Sequence, residues 1–508
     1  MSNNKQIAKN FIYTFISFGI NLCISFFFTP YLINSVGKEA YGFFPLVNSL
    51  IGYTTIFTSA ISSMAGRFVT TAYYKEDIEG SKGYFNSVFV GYVALSAFFT
   101  IVGLVLVFFI ENILTVPSGL VTDVKWLFFF AIAAMTIQMA TTAYPLGTYV
   151  KNKSHLNSVR DTVSNVVRVV SLLLLFYFLS PSIVYMSVSA FLATIVTAAY
   201  NIYYKKKLLP EIEINLREYF SWRYLWEVVS SGMWSSLNAL SCILSGNVNI
   251  LFTNIFLDAE QTADYAIAYT IPNLLATISS TIAITFTPNF NILYAKDQTS
   301  DLITEVNKSI KLLSFLLAIP VGYCIVNADE IFGIWVPNAV NERILYLSFI
   351  LLIFTFFGLN ANPLYSIFTI TNKRKYPSLV LLLVGLLNIA SMFILLKTTD
   401  MGVYAIALSG TVFMCFRDIL FTPTYAAKCI GIPLTTFYPA LIKGALATGI
   451  SAGISWSIST LLPEITVLNF ILTFGISAIL TMIVGSLLVF SRTERMYFIN
   501  VIISKLKR

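Results

Sequence analysis

Residues 11–33 read FIYTFISFGINLCISFFFTPYLI, an apolar run that contains no charged side chain. A helix of about 20 such residues is long enough to cross the hydrocarbon core of a bilayer. Similar runs recur almost to the end of the 508-residue chain, with short polar segments between them. They predict an all-α integral membrane protein with about fourteen spans. The spans are expected near 11–34, 42–65, 85–110, 126–149, 158–179, 182–204, 226–256, 264–289, 308–327, 342–370, 376–396, 401–424, 437–460 and 466–490.

The composition supports a protein surrounded mainly by lipid. Hydrophobic residues make up 57% of the chain and charged residues only 11%, whereas soluble globular proteins carry roughly 25% charged residues. One histidine and five cysteines without CxxC spacing indicate neither a metal site nor a disulfide framework. Phosphate-binding loops, nucleophile elbows and HExxH motifs are absent from the sequence. We therefore expect no enzyme and no cofactor, and the sequence leaves a coupling ion, H⁺ or Na⁺, open.

Basic residues indicate the orientation of the chain in the membrane. Most of the 32 lysines and arginines lie in alternate inter-span segments, which the positive-inside rule assigns to the cytoplasm. Both termini are thus predicted to be cytoplasmic, in a bacterial inner membrane. The net charge of +8 is expected to face anionic lipids, so we predict no nucleic-acid partner. Few basic residues lie elsewhere: the external Lys38, Lys125, Arg343 and Lys397, and Arg168, Arg417 and Lys443 within spans.

The first six spans resemble spans seven to twelve at a nearly constant offset. A repeat with an even number of spans inserts twice in the same orientation, so its copies are related by an axis along the membrane normal. We expect the substrate path between the two lobes. The predicted segments are a first lobe (1–204), a basic cytoplasmic linker along the membrane interface (205–225), a second lobe (226–427), an extra helix pair (428–490) and a basic tail (491–508). Matching residues include Asn21 and Asn238, Asn48 and Asn273, Tyr41 and Tyr265, Pro145 and Pro363, and Asn152 and Asn372.

Polar side chains mark one face of spans one, two, seven and eight. Each face includes an asparagine, respectively Asn21, Asn48, Asn238 and Asn273. Polar groups inside a bilayer face a wet cavity or bond to a neighbouring helix. Both alternatives stay open for each residue, while the repetition of the stripe in both halves favours a polar lumen.

The fifth span carries a guanidinium near mid-membrane. Arg168 lies two helical turns from Asp161 on the same face of this span. A charge at mid-span costs about 2.5–3.5 kcal/mol on insertion scales, so it needs a compensating partner. Arg168 is predicted either to bind a phosphate with two hydrogen bonds or to be tied to Asp161 and its neighbours.

Three further charges lie within later spans. Arg417 and Asp418 are adjacent in the twelfth span, near its cytoplasmic end, where the arginine could extend toward the headgroups. Lys443 lies two turns into the thirteenth span, beside a run of small residues. We include all three as tentative substrate-binding residues, with a structural role as the alternative for each.

Several segments resemble one known family. They are the helix from Asn10 to Gly37, the turn at residues 37–42 (GKEAYG), the start of the second half at 232–234 (GMW) and the pair at 372–373 (NK). With the six-span repeat, they resemble the polysaccharide-transporter branch of the multidrug/oligosaccharidyl-lipid/polysaccharide exporter superfamily, which includes O-antigen and capsule-unit flippases. The resemblance covers nearly the whole chain.

This resemblance implies two six-helix lobes around a central cavity lined by spans one, two, seven and eight. It implies a flippase that carries polyprenyl-pyrophosphate-linked oligosaccharides to the outer leaflet by alternating access. The partners would be this substrate, membrane lipids and polysaccharide assembly proteins, and we expect a monomer. Among the basic residues, Arg168 is the one expected to bind the diphosphate.

The chain departs from the lipid II flippases, which carry an arginine cluster in the first two spans. Here the first span has no charge, and Arg67 is the only basic residue near the second. Two other functions remain open. A cation-coupled multidrug and toxin exporter would have an acidic residue deep in the first helix, and a membrane glycan polymerase or ligase would have a long external loop.

Overall fold

The structure, a computed structural model, describes residues 3–462, 466–492 and 494–496, and all regular elements in these ranges are helical. Thirteen helices among the described residues are long and apolar enough to cross a membrane, and one bent pair brings the number to fourteen. The predicted all-α class and number of spans are confirmed. Most of the predicted basic tail at 491–508 lies outside the described residues.

The chain forms two compact units, which divide it between Ala263 and Asp264. The first unit therefore includes the seventh span, which the repeat assigns to the second lobe. The unit boundary is defined by contacts within this structure, whereas the lobe boundary is defined by the repeat in the sequence, so the two boundaries need not coincide. The predicted lobe boundaries, 1–204 and 226–427, stay a prediction.

In the part of the first unit that the structure describes, there are twelve helices. A buried cluster that includes Val69 of the second span, Phe85 of the third and Val228 of the seventh forms part of its core. The helices are α1 (Asn3–Val36), α2 (Lys38–Gly52), α3 (Thr55–Tyr74), α4 (Ile78–Phe108), α5 (Ile110–Ile113), α6 (Val121–Ala140), α7 (Leu146–Val150), α8 (His155–Phe178), α9 (Val184–Leu208), α10 (Leu216–Tyr219), α11 (Trp222–Cys242) and α12 (Val248–Phe256), with a π-helical turn at Ile243–Asn247.

The second span is a broken helix. Its two parts, α2 and α3, meet at an angle of 52°. At the break, the hydroxyls of Thr54 and Thr55 donate to the carbonyl oxygens of Ile51 and Gly52, at 2.8 and 2.7 Å. Such local bonds compete with the regular helical pattern, which accounts for a bend that the apolar run at 42–65 does not reveal.

The predicted linker at 205–225 is docked on the first unit. The buried amide of Asn86 on α4 donates to the carbonyl oxygen of Glu213 at 2.9 Å and accepts from the backbone amide of Asn215 at 3.0 Å. Ile212 is fully buried in the core, while Ile214 is exposed. The side chain of Ile212 is therefore used in protein packing, and the position of the linker along the membrane interface stays a prediction.

The described residues of the second unit form nine helices, and the first of them begins shortly before the unit boundary. Its core includes Phe290, Val306, Ile310, Leu364 and Phe437. The helices are α13 (Ala259–Ala295), α14 (Thr299–Val326), α15 (Ala328–Trp335), α16 (Glu342–Ile370), α17 (Lys375–Thr398), α18 (Val403–Phe416), α19 (Thr422–Ile430), α20 (Tyr438–Ser459) and α21 (Val467–Val489), with a π-helical turn at Arg417–Phe421.

The extra pair, α20 and α21, packs on α14. Small residues allow this close approach: Gly444 lies against Ser314, and Gly322 lies against Ser451. Interfaces of this kind are common between membrane helices, where no hydrophobic effect drives association. Gly444 and Ser451 therefore lie in a packing interface, as predicted, whereas a Cβ atom on Gly449 or Gly453 would meet no atom within 4 Å.

The repeat is visible in how matching helices end. Asn152 after α7 and Asn372 after α16 have φ angles of 52° and 53°. In each case the next amide donates to a carbonyl oxygen in the last helical turn, at 2.8 Å and 3.0 Å. Glu76 after α3 and Asp297 after α13 end their helices in the same way, with φ angles of 64° and 54°. This left-handed termination is usually made by glycine, so its occurrence at four non-glycine, repeat-related positions supports the repeat.

One pair of matched prolines differs between the halves. Pro145 lies in a turn before α7, whereas Pro363 lies inside the continuous helix α16. Proline lacks an amide hydrogen, so the carbonyl oxygen of Leu359, four residues earlier, loses its helical partner. The hydroxyl of Ser279 on α13 donates to this oxygen at 2.9 Å, and Asn362 donates to Ser279 at 2.6 Å.

Ser279→Ala is expected to lower the melting temperature of the purified protein. It would leave the buried carbonyl of Leu359 unpaired, at a cost of about 1–3 kcal/mol. Ser280→Ala is the matched control, because the Ser280 hydroxyl bonds within its own helix, to the carbonyl oxygen of Thr277. Equal melting temperatures for the two variants would contradict this role of Ser279.

Candidate functional site

The structure separates Arg168 from the partners predicted for it. Asp161 is paired with its neighbour Arg160, with Nη2 2.7 Å from the carboxylate. Asn165, one turn from Arg168, donates instead to the side-chain oxygen of Asn21 on α1 at 2.7 Å. The structural alternative for Arg168, an attachment to Asp161 and Asn165, is not what the structure shows.

Arg168 is near a tyrosine from the second span. Its partly buried guanidinium interacts electrostatically with Tyr41 of α2, which is 7% exposed. The hydroxyl of Tyr41 also interacts with the side chain of Thr29 on α1. Within the part of the chain that the structure describes, no carboxylate pairs with Arg168. Helices α1, α2 and α8 therefore place the Arg168 guanidinium, which has no carboxylate partner among the described residues, beside the hydroxyls of Thr29 and Tyr41.

Other polar side chains of the first span form hydrogen bonds with α8. The hydroxyl of Ser17 donates to the carbonyl oxygen of Ser158 at 3.1 Å and accepts from Thr162 at 2.9 Å. Together with the bond between Asn21 and Asn165, these contacts join α1 to α8. Asn21 thus takes part in helix packing, and its predicted role in binding substrate stays a prediction.

Two of the other asparagines lie on the helices of the second and seventh spans. Asn48 on α2 and Asn238 on α11 are both exposed. The amide of Asn48 donates to its own helix, at the carbonyl oxygen of Phe44, 2.9 Å away. These side chains remain available to a ligand, as the lumen hypothesis requires, although exposure alone does not identify one.

The second part of the second span, α3, is in close contact with α11. A Cβ atom on Gly232 of α11 would lie 1.9 Å from the carbonyl oxygen of Ala60 on α3. Beside this point the hydroxyls of Ser59 and Ser236 are 3.3 Å apart. Only glycine allows the two backbones to approach so closely. Packing therefore accounts for the glycine of the GMW segment at 232–234.

In the second unit, Asn273 lies on α13 and is exposed. Its backbone carbonyl accepts the hydroxyl of Thr277 at 2.8 Å. Asn273 is thus exposed, as is Asn48, to which the repeat relates it.

Arg417 and Asp418 are bound together inside the second unit. The carboxylate oxygen Oδ1 of Asp418 lies 2.7 Å from Nε and from Nη2 of Arg417. Tyr365 of α16 donates to the same oxygen at 2.6 Å. Asp418 is only 4% exposed, so the expectation that Arg417 extends to the headgroups is wrong. The pair lies in a π-helical turn, a feature frequent at functional sites.

Lys443 on α20 is partly buried. It forms no ion pair or hydrogen bond within the described ranges. The neighbouring Gly444 faces α14 rather than an open space. A role for Lys443 in substrate binding stays a prediction.

Sequence reasoning missed Tyr41 and Thr29 as neighbours of Arg168. In the sequence, Tyr41 stands out only as a repeat-related residue and as part of the turn at residues 37–42. Both are more than a hundred residues from Arg168 along the chain, so no spacing rule relates them. The sequence did contain one usable signal, since a buried arginine in a membrane requires polar neighbours.

Comparisons with known proteins agree with this architecture. Residues 7–291 match the family described as polysaccharide biosynthesis protein. The "uncharacterized membrane protein EpsK" of Bacillus subtilis (strain 168) is 26% identical over 453 residues, which are 89% of this chain and 88% of that protein.

Two solved structures have the same fold. An inward-facing multidrug resistance MATE family transporter of the MOP superfamily matches with a TM-score of 0.64 and 14% identity, covering 81% of this chain and 94% of that one. The lipid II flippase MurJ in an inward closed conformation matches with a TM-score of 0.62 and 14% identity, covering 94% and 97%. The chain is a multi-pass membrane protein that belongs to the polysaccharide biosynthesis protein family.

Proposed function

We propose that the protein is a flippase that moves polyprenyl-pyrophosphate-linked oligosaccharides from the cytoplasmic to the outer leaflet by alternating access. The observation that carries this proposal is Arg168, a guanidinium inside a membrane helix with no carboxylate partner among the described residues. An uncompensated cation at this depth is costly and favours the approach of an anion.

The chemistry around Arg168 suits a pyrophosphate. A guanidinium offers two parallel N–H groups that match two phosphate oxygens, and such charge-assisted bonds are stronger than neutral ones. The hydroxyls of Tyr41 and Thr29 can donate or accept hydrogen bonds beside it. An uncharged drug or a sugar without phosphate would not compensate the arginine in this way.

Family membership supports the cargo class. The family is one of polysaccharide biosynthesis, and the fold is shared with a protein described as a lipid II flippase. A polysaccharide unit built on the cytoplasmic side must cross the membrane with its lipid carrier, and the pyrophosphate is the one anionic group of that carrier. The transporter type of this family also suits a role without catalysis.

We also propose that the protein is a monomer in the cytoplasmic membrane with both termini inside. Its partners would be lipids and polysaccharide assembly proteins, and transport would be coupled to an ion of unassigned identity. Asn48, Asn238 and Asn273 would contact the sugars, for which exposed amides are suitable donors and acceptors.

The main rival is a cation-coupled drug exporter, since the fold is equally that of a MATE transporter. Such a protein is expected to hold, inside a membrane span, an acidic residue that is free to bind H⁺ or Na⁺. Asp161 and Asp418, the two carboxylates well inside predicted spans, are both paired with arginines. This pairing favours the flippase.

Reconstitution into proteoliposomes tests the proposal. Vesicles containing a polyprenyl-pyrophosphate oligosaccharide in the inner leaflet would be probed with a membrane-impermeant lectin. We expect accessible sugar to rise above the level of protein-free vesicles. No rise with several such lipids, together with drug efflux driven by a proton or sodium gradient, would overturn the proposal in favour of the exporter.

A further inference from the structure

The second unit contains a buried carboxyl group that the proposed function does not use. Glu330 lies on the short helix α15, between predicted spans nine and ten, and is 7% exposed. Helix α15 packs against α14, α16 and α21. No lysine or arginine of the described ranges pairs with Glu330. A buried carboxylate without a cation is unfavourable, so the group must be compensated in another way.

Glu330 begins a row of oxygen atoms that crosses three helices. The hydroxyl of Tyr323 on α14 lies 2.9 Å from Oε2 of Glu330 and 2.6 Å from the hydroxyl of Thr473 on α21. Thr473 in turn lies 3.2 Å from the backbone carbonyl oxygen of Phe470. The row therefore contains three oxygen–oxygen contacts at hydrogen-bonding distance.

The number of protons in this row depends on Glu330. With the carboxyl ionised, only the hydroxyls of Tyr323 and Thr473 supply protons, one each. Two protons cannot fill three contacts, so one pair of oxygens is left facing each other without a hydrogen. With the carboxyl protonated, Glu330 donates to Tyr323, Tyr323 to Thr473 and Thr473 to Phe470. All three contacts are then hydrogen bonds.

We propose that Glu330 is a proton-binding site whose occupation completes this row and fastens α14 and α15 to the appended helix α21. The site lies on the side of the membrane predicted to be external, and it does not involve Arg168. Proton binding there would act on the extra helix pair, for which no role has been assigned.

The surroundings of Glu330 support the neutral form. Burial raises the pKa of its carboxyl above the ordinary value, the Tyr323 hydrogen bond lowers it, and the exposed carboxylate of Asp329 raises it again. On α14, Tyr323 and Cys324 are the titratable groups at this position, and α21 offers Thr473 with the rings of Phe470 and Phe474. Among the described residues, no charged group of α16 or α21 contributes to this shift.

The sign of the pH effect follows from a raised carboxyl pKa. The folded protein holds the proton more tightly than the unfolded chain. The resulting stabilisation is fully present below the ordinary glutamate pKa and is lost as the pH rises through the folded-state pKa of Glu330. Above that point the ionised carboxyl breaks the row.

The test compares the melting temperature of Glu330→Gln with that of the wild type over a range of pH. The glutamine amide donates to Tyr323 at every pH, so the variant imitates the protonated state. We expect the variant to melt a few degrees higher than the wild type at neutral pH, and this difference to vanish in acid. Asp329→Asn, one residue away and exposed, is expected to keep the wild-type dependence with its midpoint shifted to slightly lower pH.

Infrared difference spectra provide a second measurement. The wild type is expected to show a protonated-carboxyl band that disappears as the pH rises and that Glu330→Gln lacks. A variant that melts below the wild type at neutral pH, or a difference between the two that does not change with pH, would overturn the proposal. Stabilisation of the wild type, but not the variant, by sodium at constant pH would also overturn it and make the occupant a metal ion.

Discussion

Arg168→Ala is expected to reduce flipping of a pyrophosphate-linked oligosaccharide to the level of protein-free vesicles. Each hydrogen bond to a charged group contributes about 1.5–3 kcal/mol, so losing a bidentate contact corresponds to at least a roughly hundredfold loss of affinity. Stability should change little, since the guanidinium has no ion-pair partner among the described residues whose loss would leave a charge unpaired. Lectin accessibility and melting temperature would be measured on the same preparations.

Two further variants separate binding from folding in this experiment. Arg168→Lys keeps the charge but loses the planar fork, and we expect flipping to be partly restored. Arg160→Gln breaks the ion pair with Asp161 on the same helix, and we expect a lower melting temperature with flipping retained. Wild-type flipping by Arg168→Ala would make Arg168 a structural residue.

Gly232→Leu is expected to prevent the seventh span from packing on the second. Even a single carbon at this position would lie 1.9 Å from the carbonyl oxygen of Ala60, and backbone atoms cannot move aside as a flexible side chain can. Overpacking of this kind costs on the order of 3 kcal/mol. We expect a melting temperature several degrees lower and loss of transport in the same proteoliposomes.

Cysteine cross-linking would report this contact directly. With cysteines in place of Ser59 and Ser236, whose hydroxyls are 3.3 Å apart, oxidation should join α3 to α11 in the wild-type background and fail in Gly232→Leu. Gly246→Ala is the control on the same span, because a Cβ there would meet no atom within 4 Å. Undiminished cross-linking in Gly232→Leu would disprove the proposed packing.

The spans could be predicted because the requirement behind them is local. A helix must be apolar over a fixed length to cross a bilayer, and that length can be counted in the sequence. The break in the second span at Thr54 could not be predicted, because it depends on which carbonyl oxygen accepts the threonine hydroxyl. The docking of Ile212 was also missed, because it depends on Asn86, a residue more than a hundred positions away.

For the candidate site, the sequence identified the arginine and not its surroundings. Helical spacing placed Arg168 and Asp161 on one face, but Asp161 bonds to the adjacent Arg160 because a long side chain can reach around its helix. Tyr41 and Thr29 come from other helices, so their proximity is a product of tertiary packing. Glu330 was overlooked for a related reason: it lies in a predicted loop, where an acidic residue is ordinarily solvated.

The matched left-handed residues after α3 and α13, and after α7 and α16, have an evolutionary implication. An ancestral gene for a single copy of the six-span repeat, without the extra helix pair, would have encoded each of these chain reversals once. Because six spans return the chain to its starting side, two copies of that ancestor would enter the membrane in the same orientation and could have worked as a parallel homodimer. Fusion then freed each half to change alone, as the different settings of Pro145 and Pro363 illustrate.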